Sequence, residues 1–479
     1  MRAGDDPRPA AVPSNWRQAV RLDRREWLWQ MLAAGGGLLW PRLAVADAEP
    51  TPVSLPVWNQ FRGPGGMGQA HGTNPPITWS EGENVAWKVP IPGKGWSSPV
   101  IHGNSVWLTT ATQLGRSLRL VCLDAEMGTL RFLTPELFAV EPGAKGLAKA
   151  GQAAPTPVVT ADRVYVHFGT FGTACLNHRG EVLWSRVIPY YHHHGPGSSP
   201  QLVDDVLVVV CDGFTGPFFD KVEREGVDSP QFVIGLDAHT GEIRWKTSRK
   251  GKHSYATPLA IEVEGQTQVV CPGGDGVWAY DPQTGQELWH YPFVGHSVVP
   301  RPVWVDGRLL ICTGYHEATL LALDPSELST DRQPTLLWKL SKGVPFVPSP
   351  VVVDDLVYLV TDEGVLSAVE LATGKLKWKQ RLGGMFSASP VACGKRVYAT
   401  SETGITHVWR AGPAFRRLAE NSLPGQILAS PAVVDGRMYL RTETHLYCLE
   451  SRDADASPPK VPVKLTSDEV ESSPDRSNQ

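Results

Sequence analysis

No two cysteines in this chain are close enough in sequence to form a metal or redox motif. Seven cysteines are spread over 479 residues, and the closest two, Cys175 and Cys211, are 36 residues apart. This spacing excludes the C-x-x-C pattern of zinc and dithiol sites and the C-x-x-C-H pattern of haem attachment. The cysteines lie in or beside apolar segments, so we expect most of them to be small buried residues. An isolated disulfide between repeats stays open as an alternative.

Positive charge and long apolar runs are also scarce. The net charge is −4 and the pI is about 6.4, without clustered Lys and Arg, which excludes the nucleic-acid-binding class. No apolar run reaches the ~20 residues that a membrane-spanning helix needs. The chain has no G-x-S-x-G element, P-loop or zinc-helix motif. We therefore predict no nucleic-acid partner, no transmembrane span and no catalytic residue that a motif would identify.

Glycine and proline are abundant, with 47 and 41 copies, and they punctuate a repeated hairpin. In the segment 279–289, an apolar strand runs into Asp281, Thr284-Gly285 supplies a turn, and Trp289 follows four residues after the glycine. The same offset from Gly to an aromatic residue recurs at Gly180 and Trp184, Gly241 and Trp245, Gly374 and Trp378, and Gly128 and Phe132.

A second pattern, mostly Ser or Thr followed by Pro and an apolar strand, alternates with the hairpins. Its prolines lie at positions 99, 157, 200, 258, 302, 350, 390 and 431. The intervals of 40 to 58 residues match four short strands with their turns, which is the period of propeller blades. The chain is therefore predicted to be all-β, a single β-propeller of eight four-stranded blades.

The ends of the repeat array indicate how the ring closes. The eighth repeat ends near Leu449 without a Trp-bearing strand, whereas the strand 84–89, with Trp87, stands alone before the first repeat. We predict that this N-terminal strand completes the last blade and removes two exposed sheet edges. The tryptophans predicted to dock between blades are Trp87, Trp184, Trp245, Trp289, Trp338 and Trp378.

The N-terminal segment has the features of an export signal. It resembles a bacterial twin-arginine signal because Arg24-Arg25 precedes a weakly apolar glycine-rich stretch and the small-residue site 44–46. We therefore predict a periplasmic or otherwise extracytoplasmic protein; an uncleaved anchor is the alternative. The predicted divisions are a signal at 1–46, a linker at 47–57, the propeller at 58–450 and a disordered tail at 451–479.

The residues just before the inner strands form the candidate binding site. They should ring one mouth of the central channel, where aromatic and cationic groups suit a planar or anionic ligand. His192 and His194 can share one strand face, but three consecutive histidines cannot all face one metal, so no metal site is predicted. The alternative is that these side chains only fill the funnel. The candidates are Trp96, His192, His194, Tyr255, Arg301, Phe346 and Phe386.

The segment 236–245, read as Leu-Asp-Ala-x-Thr-Gly-x-x-x-Trp, resembles the tryptophan-docking motif of quinoprotein-type propellers. Together with the segment 58–64, it is similar to exported pyrroloquinoline-quinone-like repeat proteins of planctomycete-type bacteria, which are grouped with the assembly factor BamB. The resemblance implies that each Trp packs between neighbouring blades. The dehydrogenases of that superfamily use adjacent cysteines and a calcium site, and neither is recognisable here.

The sequence therefore predicts a non-catalytic binding or scaffold module with a protein partner or small ligand at the propeller face. No cofactor is expected under this interpretation. The first alternative is a dehydrogenase that depends on pyrroloquinoline quinone and calcium. The second alternative is an extracytoplasmic carbohydrate-binding protein.

Overall fold

Eight antiparallel sheets, arranged as consecutive blades, make up the computed structural model. It describes residues 56–140, 151–190, 194–213, 231–315 and 317–452. These belong to one of the chain's two units, Ser54–Gln479; the other, Met1–Val53, lies outside the described residues. The predicted signal, nearly all of the linker and tail, and His192 therefore also lie outside them.

Three short strands precede the first complete repeat. They are β1 (Val57–Trp58), β2 (Gln69–Ala70) and β3 (Val85–Pro90), with a 3₁₀ turn at Pro64–Gly66. Blade 1 contains β4 (Val100–His102), β5 (Ser105–Thr112), β6 (Ser117–Asp124), β7 (Leu130–Leu133) and the accessory β8 (Phe138–Ala139). Blade 2 contains β9 (Val158–Val159), β10 (Arg163–His167), β11 (Thr173–Asn177) and β12 (Val182–Arg186), with a 3₁₀ turn at Gly169–Phe171.

Blades 3 to 5 repeat the same order of four strands. Blade 3 contains β13 (Gln201–Val203), β14 (Val206–Asp212), β15 (Gln231–Asp237) and β16 (Ile243–Ser248). Blade 4 contains β17 (Leu259–Val263), β18 (Gln266–Pro272), β19 (Gly276–Tyr280) and β20 (Glu287–Pro292). Blade 5 contains β21 (Val303–Val305), β22 (Arg308–Cys312), β23 (Leu320–Leu328) and β24 (Pro334–Leu340).

Blades 6 to 8 complete the ring. Blade 6 contains β25 (Val351–Val353), β26 (Leu356–Val360), β27 (Val365–Glu370) and β28 (Leu376–Arg381). Blade 7 contains β29 (Val391–Cys393), β30 (Arg396–Thr400), β31 (Ile405–Arg410) and β32 (Arg416–Ser422). Blade 8 contains β33 (Ala432–Val434), β34 (Arg437–Arg441) and β35 (His445–Glu450), and β3 is its fourth strand. The predicted fold class is confirmed.

Ring closure follows the predicted route. Strand β3 pairs antiparallel with β35, with Trp87 opposite Cys448, so an N-terminal strand supplies the outer edge of the last blade. The first strands of blades 8 and 1, β33 and β4, contact each other across the seam. Closure therefore covers edges that an open array would leave unpaired.

The third-to-fourth strand turns are shaped by aspartate and glycine. In blade 3, the Asp237 carboxylate accepts hydrogen bonds from the N–H groups of His239 and Thr240, both at 2.8 Å. Gly241 follows at φ 72°, a conformation that glycine adopts without steric cost. This local geometry explains why Asp and Thr-Gly recur at a constant distance before the tryptophan.

The tryptophan of one blade packs on the turn glycine of the next. The Trp184 indole donates to Ala238 O at 3.0 Å, and a Cβ at Gly241 would lie 2.5 Å from the Trp184 ring. Trp87, Trp245 and Trp338 are arranged in the same way, on Gly128, Gly285 and Gly374. Trp378 donates to Gly412 O, whereas Trp289 donates to Gln268 within its own blade.

The Ser/Thr-Pro pairs link the inner strands by side-chain hydrogen bonds. In most pairs the hydroxyl accepts the N–H of the equivalent residue in the preceding blade, as from Ser349 N to Ser389 Oγ and from Ser389 N to Ser430 Oγ, both at 2.9 Å. The same bond joins Ser98 to Thr156, Thr156 to Ser199, and Ser199 to Thr257. Blade 5 has Arg301 at this position, without a hydroxyl.

The segment 57–70 lies against the inner edges of the blades, and we call it the plug. Strand β1 pairs with β4, and β2 runs parallel to β29. Arg62 is fully buried and donates to Pro350 O at 2.5 Å and Pro390 O at 3.2 Å, in blades 6 and 7. The plug thus ties distant blades together from inside the ring.

Candidate functional site

One face of the ring, which we call the mouth face, is built from two sets of loops. The first set leads from the outer strand of one blade to the inner strand of the next. The second set joins the second and third strands within each blade. Backbone bonds hold the sets together, as from Gly274 N to Lys252 O at 2.8 Å and from Glu402 N to Met385 O at 2.7 Å.

Histidine and tyrosine side chains meet on this face at blades 3 to 5. The ring centroids of His253 and His296 are 4.8 Å apart, those of His253 and Tyr255 are 5.4 Å apart, and those of His194 and Tyr255 are 5.9 Å apart. We call His194, His253, Tyr255 and His296 the mouth cluster. Burial raises the pKa of Tyr255, so its phenol stays neutral at physiological pH.

A serine adds a hydrogen bond to this cluster. Ser297 Oγ lies 2.9 Å from His253 Nε2, and Ser297 has a φ of 48°, which is uncommon for a residue other than glycine. His253 is buried, whereas Ser297 is half-buried and His194 is exposed. The cluster therefore combines a fixed imidazole with polar and aromatic groups that a ligand can reach.

A buried ion pair supports the cluster from below. Arg249 donates to both oxygens of Asp212, at 3.2 and 2.6 Å, and Asp212 also accepts the N–H of Ser254 at 2.9 Å. Burial raises the pKa of the Asp212 carboxyl, and the Arg249 guanidinium opposes that rise. Because Ser254 lies between His253 and Tyr255, this pair holds the loop that presents both rings.

Phe346 lies farther along the mouth face. Its ring is 5.2 Å from that of Tyr315, and its N–H donates to the Asp362 carboxylate at 2.7 Å. The Tyr315 side chain is 52% exposed. This pair therefore offers a second accessible aromatic surface on the same face.

Arg301 is not available to a ligand as the sequence suggested. Its side chain is 1% exposed and donates to Pro258 O at 3.1 Å and to Phe61 O, Gln60 Oε1 and Gln201 Oε1. The plug occupies the space that the prediction assigned to a ligand. Arg301 therefore fastens the plug to blades 3 and 4.

Phe386 also differs from the prediction, because it lies in the core between blades 6 and 7 at 1% exposure. Trp96 is half-buried on the blade 1 side, and its N–H donates to Ala153 O at 3.0 Å. No ring contact joins Trp96 to the mouth cluster within the described residues. Of the candidates that the structure describes, it thus brings together only His194 and Tyr255.

Sequence reasoning missed His253, His296 and the supporting pair of Asp212 and Arg249. His253 and His296 lie four and five residues before the Thr257-Pro258 and Arg301-Pro302 pairs. If all five residues before each of these pairs had been considered as candidates, both histidines would have been included. Asp212 and Arg249 are 37 residues apart, and no local pattern connects them.

Neither a metal-binding cluster nor a membrane-spanning helix is present among the described residues. Within the described ranges, no three His, Cys, Asp or Glu side chains are grouped so as to hold a metal ion. All seven cysteines are buried and free. Among the described residues, no helix has the length and apolar character required to cross a bilayer.

Solved structures show that this fold is shared by proteins with different roles. The chain is similar to BamB from Moraxella catarrhalis, with a TM-score of 0.53 at 15% identity over 78% of this chain and 99% of that one. It is also similar to a quinohemoprotein alcohol dehydrogenase from Comamonas testosteroni (TM-score 0.59, 12% identity, 86% and 82% coverage). A europium-containing methanol dehydrogenase gives a TM-score of 0.58 at 12% identity, with 82% and 98% coverage.

Sequence comparisons point to one of these groups. The outer membrane protein assembly factor BamB of Alteromonas naphthalenivorans is 28% identical over 32% of this chain and 37% of its own length. That of Yersinia pestis is 27% identical over 34% of this chain and 42% of its own length. The chain thus spans about two fifths of the length of the curated relatives it matches.

The family profile described as outer membrane protein assembly factor BamB matches residues 147–332 and 326–412. Together these matches span more than half of the 479 residues, from blade 2 into blade 7. The chain belongs to the BamB family of β-propeller proteins.

Proposed function

We propose that this protein is an exported, non-catalytic propeller that binds a protein partner through its mouth face and works without a quinone cofactor. The observation that carries the proposal is a set of large apolar side chains exposed around this face. Leu114 is 88% exposed, Val294 80%, Tyr315 52% and Met385 47%. They stand on loops and hairpins of blades 1, 4, 5 and 6, spread around the ring.

Exposed apolar side chains on a rigid frame suit protein recognition. Large apolar and aromatic groups supply most of the binding free energy at protein interfaces, while the surrounding polar groups exclude water. The mouth cluster adds hydrogen-bonding and aromatic groups between these exposed apolar side chains. Binding needs no further chemistry from the chain.

The plug favours binding at the face over passage through the ring. Arg62 and Arg301 fasten it to blades 3, 4, 6 and 7 by bonds to backbone and amide oxygens. A partner therefore meets the mouth face as a surface. The relatives are named as assembly factors for outer membrane proteins, which supports a partner at or near the outer membrane.

Site-specific photo-crosslinking in the native host tests this proposal. A crosslinking residue at Tyr315 should give one discrete adduct with a protein partner. The matched control is Leu376 on the outer strand of blade 6, which is 51% exposed but far from the mouth face. Equal adducts at both positions, or none at Tyr315, would refute a partner at this face.

Export is tested separately by the twin-arginine pair. Replacing Arg24 and Arg25 with Lys should leave the precursor in the cytoplasm, because the receptor reads the pair as an address. Cell fractionation and precursor size measure the result. Normal maturation of this variant would argue for another route of export.

A quinone-dependent dehydrogenase is the competing function. Similarity to the two dehydrogenases, at 12% identity, shows a shared fold alone. Incubation of the purified protein with pyrroloquinoline quinone and calcium should leave no bound chromophore and no alcohol-dependent dye reduction. A stoichiometric chromophore would contradict the proposal. Saturable binding of a defined glycan at the mouth face would favour the carbohydrate-binding alternative.

A further inference from the structure

Three arginines are buried around the inside of the ring, and they differ in how their donors are used. Arg62 donates from Nε, Nη1 and Nη2 to four carbonyl oxygens. Arg301 likewise uses all three nitrogens. Arg441 uses only Nη1, which lies 3.1 Å from Ser97 O, 2.7 Å from Ser97 Oγ and 3.0 Å from Thr109 O.

The other two nitrogens of Arg441 have no protein acceptor. No described residue accepts a hydrogen bond from its Nε or Nη2, although the side chain is only 1% exposed. Unlike Arg62 and Arg301, Arg441 thus holds one arm of its guanidinium fixed and leaves the adjacent edge without a protein acceptor. That edge presents two N–H groups in the parallel geometry that matches an oxyanion.

The described surroundings of this edge lack both a side chain that would fill it and a carboxylate that would neutralise the arginine. Gly95 borders it, and a Cβ at Gly95 would lie 3.1 Å from Arg441 Nη2. No carboxylate among the described residues forms an ion pair with Arg441. Burial alone lowers the pKa of Arg441 to about 9, so the group is still protonated at neutral pH.

Arg441 lies on the mouth face at the junction between blades 8 and 1. It ends strand β34 just before the hairpin 442–444, and Ser97 belongs to the loop that enters blade 1. This position is separate from the mouth cluster at blades 3 to 5.

We propose that Arg441 binds an oxyanion, the carboxylate or phosphate group of a small ligand, at the mouth face between blades 8 and 1. The fixed Nη1 orients the guanidinium, and Nε and Nη2 donate to two oxygens of the anion. A buried cation gains more from such a pair than a solvated one, because water screens it less.

Calorimetric titration of the purified full chain tests the site. Inorganic phosphate and succinate are titrated separately against a chloride reference of equal ionic strength. We expect saturable one-to-one binding of at least one anion. Tighter binding of phosphate indicates a phosphate-bearing ligand, and tighter binding of succinate indicates a carboxylate.

Two variants with the same change of charge locate the binding. Arg441→Gln should weaken it about tenfold or more, a factor that corresponds to ~1.4 kcal/mol. Arg437→Gln is the control, because Arg437 lies on the same strand, is paired with Glu450 at 3.1 Å and should leave affinity within about twofold.

Two outcomes would overturn the proposal. One is the absence of saturable binding of either anion by the wild-type protein, a result that does not depend on any variant folding. The other is equal weakening by Arg441→Gln and Arg437→Gln, since that would indicate only general charge attraction. If Arg441→Gln does not fold, Arg441→Lys keeps the charge but loses the paired donors and should still weaken binding.

Discussion

Gly68 in the plug provides a sharp test of what holds the ring together from inside. Its φ is 72°, and a Cβ there would lie 2.5 Å from Arg62 Nη2 and 2.8 Å from Arg62 Cζ. Gly68→Ala therefore strains the backbone and also displaces the guanidinium from Met67 O, Pro350 O and Pro390 O.

The two effects have different magnitudes. An L-residue in the left-handed region costs about 1–2 kcal/mol. Depriving a buried charge of its partners costs about 3–5 kcal/mol. We expect Gly68→Ala to lower the free energy of unfolding by about 4–7 kcal/mol, a large part of the ~5–15 kcal/mol typical of folded proteins.

A neighbouring glycine separates strain from displacement. Gly65 has a similar φ of 65°, but the nearest atom to a Cβ there is Met67 Cγ at 4.0 Å. Gly65→Ala should therefore lose only the ~1–2 kcal/mol of backbone strain. Urea unfolding followed by tryptophan fluorescence measures both variants. Equal losses in the two variants would refute the view that Arg62 fastens the plug.

Three other predictions concern the seam, the inner strands and pH. Gly128→Ala, whose Cβ would lie 2.5 Å from the Trp87 ring, should open the seam between blades 8 and 1 and lower the unfolding free energy by about 3 kcal/mol or more in urea titrations. Ser389→Ala leaves the buried N–H of Ser349 without its acceptor and should cost about 1–3 kcal/mol in the same assay. Burial lowers the pKa of His407 below its usual 6.5, so the unfolded chain binds the proton more readily than the folded chain does. The melting temperature should therefore fall as the pH drops below about 6.5. His407→Gln should reduce that fall.

Each of these predictions has its own control. Gly103 has a φ of 56°, and a Cβ there would have no atom within 4 Å. Gly103→Ala should therefore lose far less stability than Gly128→Ala. A cost below about 0.5 kcal/mol for Ser389→Ala would show that the inner hydroxyl bonds do not contribute. An unchanged pH dependence in His407→Gln would show that other groups cause it.

The repeat and its closure were predictable because they depend on local chemistry. The Asp237 carboxylate, the positive φ of Gly241 and the alternation that leads to Trp245 all act within nine residues. Copies of this local pattern recur from blade to blade, so the number and spacing of the copies indicate the number of blades. The unpartnered strand with Trp87 then predicts where the ring closes.

The candidate site was predictable only in part. His194 and Tyr255 were found because residues before the Ser/Thr-Pro pairs lie on one face. Arg301 was misassigned because its sequence position is right for the mouth. Only the folded chain shows that the plug, which starts over 200 residues earlier, occupies the space beside it.

The sequence by itself determined the blades, since strands and turns depend on neighbours a few residues apart. The tertiary structure decided which charged groups are used and which remain open. Arg62 finds its acceptors 288 and 328 residues away, and Arg441 contacts Ser97 344 residues away. The cause is physical: a buried guanidinium takes whatever acceptors the closed ring places around it, and those positions exist only after closure.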